Sequence, residues 1–227
     1  MDRRRLAAWA LGAALLGGVS YVASWEMDLP RAWSVAWKGT GVGFLTLYAA
    51  LMARRFDGWL LTAVMGLGFL GDVLLDGQDM TAGGVAFLAG HLLAVWLYLK
   101  NRRAGLSRPD WAFAGLLVPA VAAAAWALPD DRAAAVGIGI YAAGGALMAG
   151  AAWLSRFPRH LTALGTLMFV VSDLLIFARI GPLAGQAWVG FGVWSLYFAG
   201  QALVCVSVAR ALAGEAAGRR GPVSAAA

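Results

Sequence analysis

The sequence predicts an all-α fold, a polytopic membrane bundle of eight transmembrane helices, and three observations lead there. Of 227 residues, 61% are hydrophobic and only 13% are charged, against about 25% charged in an ordinary soluble domain. The apolar residues fall into eight runs, each close to the roughly 20 helical residues that cross a hydrocarbon core of about 30 Å. Fourteen of the 18 Lys and Arg residues collect at the N-terminus, in alternate connections and at the C-terminus. Lipid offers no partner to an open strand edge, so each run must be a helix.

In chain order the runs are 6–24, 34–53, 59–76, 83–100, 110–128, 133–153, 161–179 and 187–210. The first follows Arg3, Arg4 and Arg5, a pattern that a signal peptide shares with a first span; we read it as a span. Segments five and six are separated only by Leu128-Pro129-Asp130-Asp131-Arg132. Trp25, Trp33, Trp59 and Trp111 stand near segment ends, where interfacial aromatics settle. The basic split, with only Arg31, Lys38, Arg132 and Arg179 toward the other side, places both termini in the cytoplasm by the positive-inside rule. A net charge of +6 does not point to nucleic acid, because the cations sit in short clusters between apolar runs rather than along one face. Cys205, the one cysteine, lies inside an apolar run and fills space.

Segments three and seven each hold an aspartate, Asp72 in FLGDVLLD and Asp173 in VVSDLLIF. Segments four and eight pair FLAGHLL with YFAGQAL, aligning His91 with Gln201. One membrane domain of two four-helix halves is expected, 1–105 and 106–213, followed by a disordered cytoplasmic tail at 214–227. Four spans per half give both halves one orientation, related by a pseudo-twofold along the membrane normal. At 1.5 Å per residue, Asp72 and Asp173 lie about 20 and 18 Å from the cytoplasmic end, with His91 and Lys38 about 12 and 8 Å from the other. These four groups share a layer in the outer half of the bilayer. Trp194, Tyr197 and Gln201 follow at i, i+3 and i+7, one inward face of segment eight.

Carboxylates in hydrocarbon are costly and usually face an interior site. The alternatives are an aspartate that caps a broken helix or pairs with Lys38, and a packing role for His91. His160, beside Arg159, reads as interfacial. Asp76, Asp79, Asp130 and Asp131 fall in outer loops as solvated acids, Asp76 near enough to line an entrance. Two carboxyls in a poorly solvated place can divide into a neutral acid and an ionised base, which suits hydrolysis without a cofactor or metal. Only His91 and His160 are available as histidine ligands, with no HExxH or cysteine cluster. No GxSxG surrounds a serine nucleophile either.

GDVLL at 71–75, GGVAFLAGHLL at 83–93, SDLL at 172–175 and VWSLYFAGQAL at 193–203 closely resemble the YhhN-like lysoplasmalogenases, eight-span membrane enzymes with the same Asp, His, Asp and Gln landmarks. Lys38 falls where that family has Lys-Pro, although Gly39 replaces the proline here, and Ala94 stands where a tyrosine commonly follows HLL. The resemblance implies an alkenylglycerophospholipid ether hydrolase in a cytoplasmic membrane of bacterial type. Its substrate would be a lysoplasmalogen, a lysophospholipid cleaved to a fatty aldehyde and glycerophosphocholine or glycerophosphoethanolamine. Asp72 and Asp173 would be catalytic, with Lys38, His91, Trp194, Tyr197 and Gln201 binding or orienting. A proton-coupled transporter or lipid-binding protein is the alternative that buried carboxyls in a repeated bundle also fit. GFLGD is not the GxGD pattern of an intramembrane aspartyl protease, and a ceramidase-like hydrolase needs more histidines. Neither oligomeric state nor chain-length preference is legible.

Overall fold

A computed structural model describes residues 2–77 and 80–218. It contains eight long helices: α1 Arg3–Ser20, α2 Arg31–Met52, α3 Phe56–Gly77, α4 Met80–Lys100, α5 Arg108–Ala127, α6 Arg132–Leu154, α7 Leu164–Arg179 and α8 Trp188–Gly218. A 3-10 stretch, Tyr21–Glu26, continues α1, and a wide turn of π type, Arg159–Ala163, leads into α7. Among the described residues there is no strand beyond an isolated bridge between Arg102 and Ser155.

Local chemistry starts several of these helices where the sequence predicts. The Asp2 side chain accepts from the Arg4 backbone N–H, and that of Asp131 from Ala133. Ser107 and Asp110 form a reciprocal capping box at the head of α5, which satisfies donors that the first turn leaves open.

Among the described residues, seven helices are long and apolar enough to cross a membrane. The exception is α2, which is 22 residues long but carries Lys38, Ser34, Thr40 and three glycines that lower its hydropathy. It is nevertheless central, packing between α1 and α3 and against α8. At 31 residues, α8 is about 46 Å long, more than a hydrocarbon core requires. Its last turns run through residues 214–218, so the segment expected to be a disordered tail begins as helix. Residues 219–227 lie outside the described part.

Most consecutive helices pack as neighbours, and the first four helices meet the last four chiefly through α4 on α6 and through α2 and α3 on α8. Both ends of the described chain approach the same face of the bundle. The Arg3 guanidinium donates to the Ala50 and Ala53 carbonyls at 2.9 and 3.0 Å, and Arg156 ion-pairs with Glu215. The clustered cations of the even-numbered connections lie at this end, called here the basic end. Asp57 pairs with Lys100 there, and Asp110 with Arg103 and Arg159.

Glycines permit the closest helix approach. A Cβ on Gly200 would meet the Gly165 carbonyl oxygen at 2.5 Å, and one on Gly165 would meet the Gly200 oxygen at 2.7 Å. Backbone thus touches backbone between α7 and α8, as membrane helices with small residues at the interface allow. The expected interfacial tryptophans Trp25, Trp33, Trp59 and Trp111 are all exposed on the protein surface.

Candidate active site

Six helices contribute to a buried polar layer, and to its wall, in the half of the bundle away from the basic end. Asp72, near the far end of α3, is 3% exposed. It is held from two sides. The Tyr197 hydroxyl of α8 donates to its Oδ2 at 2.6 Å, the length of a charge-assisted O–H···O bond. The Lys38 ammonium of α2 stands 3.5 Å from its Oδ1. Gln201, one turn from Tyr197, reaches the same hydroxyl with Nε2 at 3.4 Å. The i, i+3, i+7 face of α8 is therefore turned inward, and all three of its members are buried.

Trp194 has a structural attachment as well. Its indole N–H donates to the Gly18 carbonyl of α1 at 2.8 Å, its ring stacks on Phe198, and Lys38 Nζ lies 5.9 Å from the ring centre. Gly18 must lack a side chain, since a Cβ there would stand 2.1 Å from the Phe198 ring. Trp194 is thus a fixed wall beside Lys38.

Asp173, on α7, is also buried, and its carboxyl interacts with the Tyr141 hydroxyl of α6. That hydroxyl lies within electrostatic reach of both Asp173 and Asp72. No ion pair is made by Asp173 among the described residues, whereas Asp72 has Lys38. The adjacent Ser172 hydroxyl donates to the Val193 carbonyl at 2.9 Å, which pins α7 to α8 beside the site.

His91 occupies the wall between these groups and the basic end. Its ring packs edge-on against Phe169 at 4.9 Å and lies 5.6 Å from Tyr141. Neither ring nitrogen has a hydrogen-bond partner among the described residues. His91, Gln201, Phe87 and Phe169 border a cavity of about 20 Å³, a volume suited to a water-sized group. His160 is remote and exposed.

Two residues of this layer were not among the expected site residues. Asp76, expected in a solvated outer loop, instead lies on the last turn of α3 and pairs with Lys38 at 2.8 Å, closer than Asp72 does. Arg31 donates to the Asp76 carbonyl at 2.7 Å. The available signal was its i, i+4 spacing from Asp72, which puts both acids on one helix face. Tyr141 was passed over inside a glycine- and alanine-rich run, although it is the only residue of α6 between Arg132 and Leu154 with a hydroxyl. Asp79, grouped with the solvated acids, lies outside the described residues. The side chains of Lys38 and Asp76 are 14% and 30% exposed, against 4% for Asp72, so they form a rim above the deeper carboxylate.

A family model described as the YhhN family matches residues 33–208, well over half of the chain. The chain belongs to the YhhN family. No curated protein and no solved structure matches it. The matched region of this YhhN protein runs from α2 into α8 and contains every group of the polar layer. The Gly18 carbonyl that anchors Trp194 lies before it, on α1, so one support of the site comes from outside the matched segment.

Proposed function

We propose that this YhhN protein hydrolyses the vinyl-ether bond of lysoplasmalogens, releasing a fatty aldehyde and glycerophosphocholine or glycerophosphoethanolamine. The observation that carries the reading is the pair of buried carboxyls with unequal surroundings. Asp72 accepts from Tyr197 and faces Lys38, which suits the carboxylate role. Asp173 has a hydroxyl neighbour and no cation among the described residues, which suits it to carry the proton. Family membership supports the same reading.

In this mechanism the Asp173 carboxyl gives its proton to the β-carbon of the vinyl ether, and the double-bond electrons form the new C–H bond. The α-carbon and ether oxygen then share the positive charge of an oxocarbenium ion. Asp72 stabilises that cation electrostatically. Water adds to the α-carbon and loses a proton to the Asp173 carboxylate. The resulting hemiacetal then breaks its bond to the glycerol oxygen as its hydroxyl proton is passed to that oxygen, leaving the aldehyde and the glycerol alcohol. One water is consumed and both carboxyls return to their starting states. Lys38, Tyr197 and Gln201 hold Asp72 in place, and Trp194 and His91 wall the site.

We place all eight helices across a bacterial-type cytoplasmic membrane with both termini in the cytoplasm and the polar layer in the outer half. The basic end supports this orientation. Neighbour relations also support two related halves: exchanging α1–α4 with α5–α8 turns the α4–α6 contact into the α8–α2 contact. Reporters fused after Asp130 and Gly185 should both read as external, and a cytoplasmic reading at either would reverse the orientation.

Purified protein given matched lysolipids tests the activity. A 1-alkenyl lysolipid should release aldehyde, while the saturated 1-alkyl analogue, having no carbon that accepts a proton, should bind without reacting. Equal stability of both lipids would defeat the hydrolase reading, and proton flux in liposomes would then favour the transporter.

A further inference from the structure

A second polar cavity, of about 320 Å³, opens at the basic end, far from the aspartate layer. Its volume falls within the range of small-molecule sites. Four cations line it from three separate connections: Arg54 and Arg55 between α2 and α3, Lys100 at the end of α4, and Arg156 between α6 and α7. Two acids answer them. Lys100 pairs with Asp57, and Arg156 with Glu215 of the long α8. Arg54 and Arg55 are exposed and make no side-chain hydrogen bond or ion pair among the described residues, which leaves the cavity with an excess of positive charge.

The floor is rigid. Asn101 is 6% exposed, donates to Asp57 Oδ2 and the Leu97 carbonyl at 2.9 Å each, and accepts from Arg156 Nε at 3.1 Å. The amide thereby fixes the α3 start, the α4 end and the α6–α7 connection relative to one another. One flank is apolar. Phe56 and Trp96 are 56% and 50% exposed and meet edge-on at 5.7 Å, and Lys100 Nζ lies 4.7 Å above the Phe56 ring. A guanidinium pair beside exposed aromatics is the arrangement of a membrane interface, where a headgroup meets the cations and its chains pass the rings.

We propose that this cavity binds the phosphate of an anionic lipid headgroup, with Arg54 and Arg55 as its principal contacts. The free guanidinium pair and the net positive lining select a headgroup with net negative charge over a zwitterionic one. The site is independent of the hydrolase reading and uses none of its residues.

Native mass spectrometry of the full chain, titrated with phosphatidylglycerol, phosphatidylcholine and inorganic phosphate, tests it. Phosphatidylglycerol should bind more tightly than phosphatidylcholine. Each Arg near an anionic surface adds roughly fivefold to the attraction, so Arg54→Ala with Arg55→Ala should weaken phosphatidylglycerol binding roughly 20–30-fold. The double variant with Lys at both positions should keep most of the binding, and circular dichroism should show all variants helical. Arg108→Ala, at the same end but outside the cavity, should bind like the parent chain. No preference for the anionic lipid, no loss in the double alanine variant, or an equal loss in Arg108→Ala would overturn the proposal. So would displacement of the lipid by inorganic phosphate at comparable concentration, which would assign the cavity to a soluble anion.

Discussion

Asp72→Asn and Asp173→Asn are each expected to lower lysoplasmalogen hydrolysis by about 10²–10⁴-fold while leaving a folded protein. The amide keeps the shape of the carboxyl, and its oxygen can still accept from Tyr197 at position 72 or meet Tyr141 at position 173. Lys38 retains Asp76 at 2.8 Å, so removing the Asp72 charge does not strand a buried ammonium. What the substitution removes is the chemistry: a proton to give, or a negative charge to face the cation. Asp130→Asn is the control, because Asp130 is exposed in the α5–α6 connection. Steady-state rates with matched protein levels and circular dichroism read the result. Normal turnover in either buried variant would return that aspartate to a packing role.

A second large effect is expected far from any charged group. Gly200→Ala and Gly165→Ala place a methyl 2.5 and 2.7 Å from a facing backbone carbonyl oxygen. A side chain could rotate away, but backbone cannot, so α7 and α8 must separate. Overpacking of this kind costs about 1–3 kcal/mol. Because α7 carries Asp173 and α8 carries Tyr197, the separation also changes the site, and a misplacement near 1 Å can cost about 10²-fold in rate. Gly190→Ala is the comparison on the same helix, since nothing lies within 4 Å of its added Cβ. Thermal unfolding in detergent should therefore drop for Gly200→Ala and Gly165→Ala and hold for Gly190→Ala. Equal stability of all three would mean that the α7–α8 contact is looser than described.

The helices were legible in the sequence because hydrophobic runs of membrane length admit one solution, and their edges fell within a few residues of the structure wherever Asp2, Ser107 or Asp131 supplied a cap. The weakest run was α2, where the residues that serve the site, Lys38 above all, are the ones that reduce its hydropathy. Asp72, Asp173, His91 and Lys38 could be placed at one depth, and Trp194, Tyr197 and Gln201 on one helix face, because depth and helical spacing are computable from a chain alone. Lateral neighbours are not. Nothing in the order of residues says that Tyr141 of α6 stands beside Asp173 of α7, or that Lys38 divides itself between Asp72 and Asp76. Asp76, at the last position of its run, was grouped with solvated acids that could at most line an entrance, whereas it pairs with Lys38 beside Asp72. The Trp194–Gly18 bond was beyond reach for the same reason, as it depends on how α1 leans against α8.

The central claim, proton transfer from a buried carboxyl to carbon, can be read from the product itself. Turnover of a 1-alkenyl lysolipid in D₂O, with the aldehyde trapped at once as a stable derivative, should yield one deuterium on the carbon next to the aldehyde. Rapid trapping is needed because enolisation exchanges that position slowly. The rate should also fall in D₂O, since protonation of carbon is the difficult step of vinyl-ether hydrolysis. Aldehyde trapped promptly without deuterium at that carbon would contradict the account, even with hydrolysis itself established.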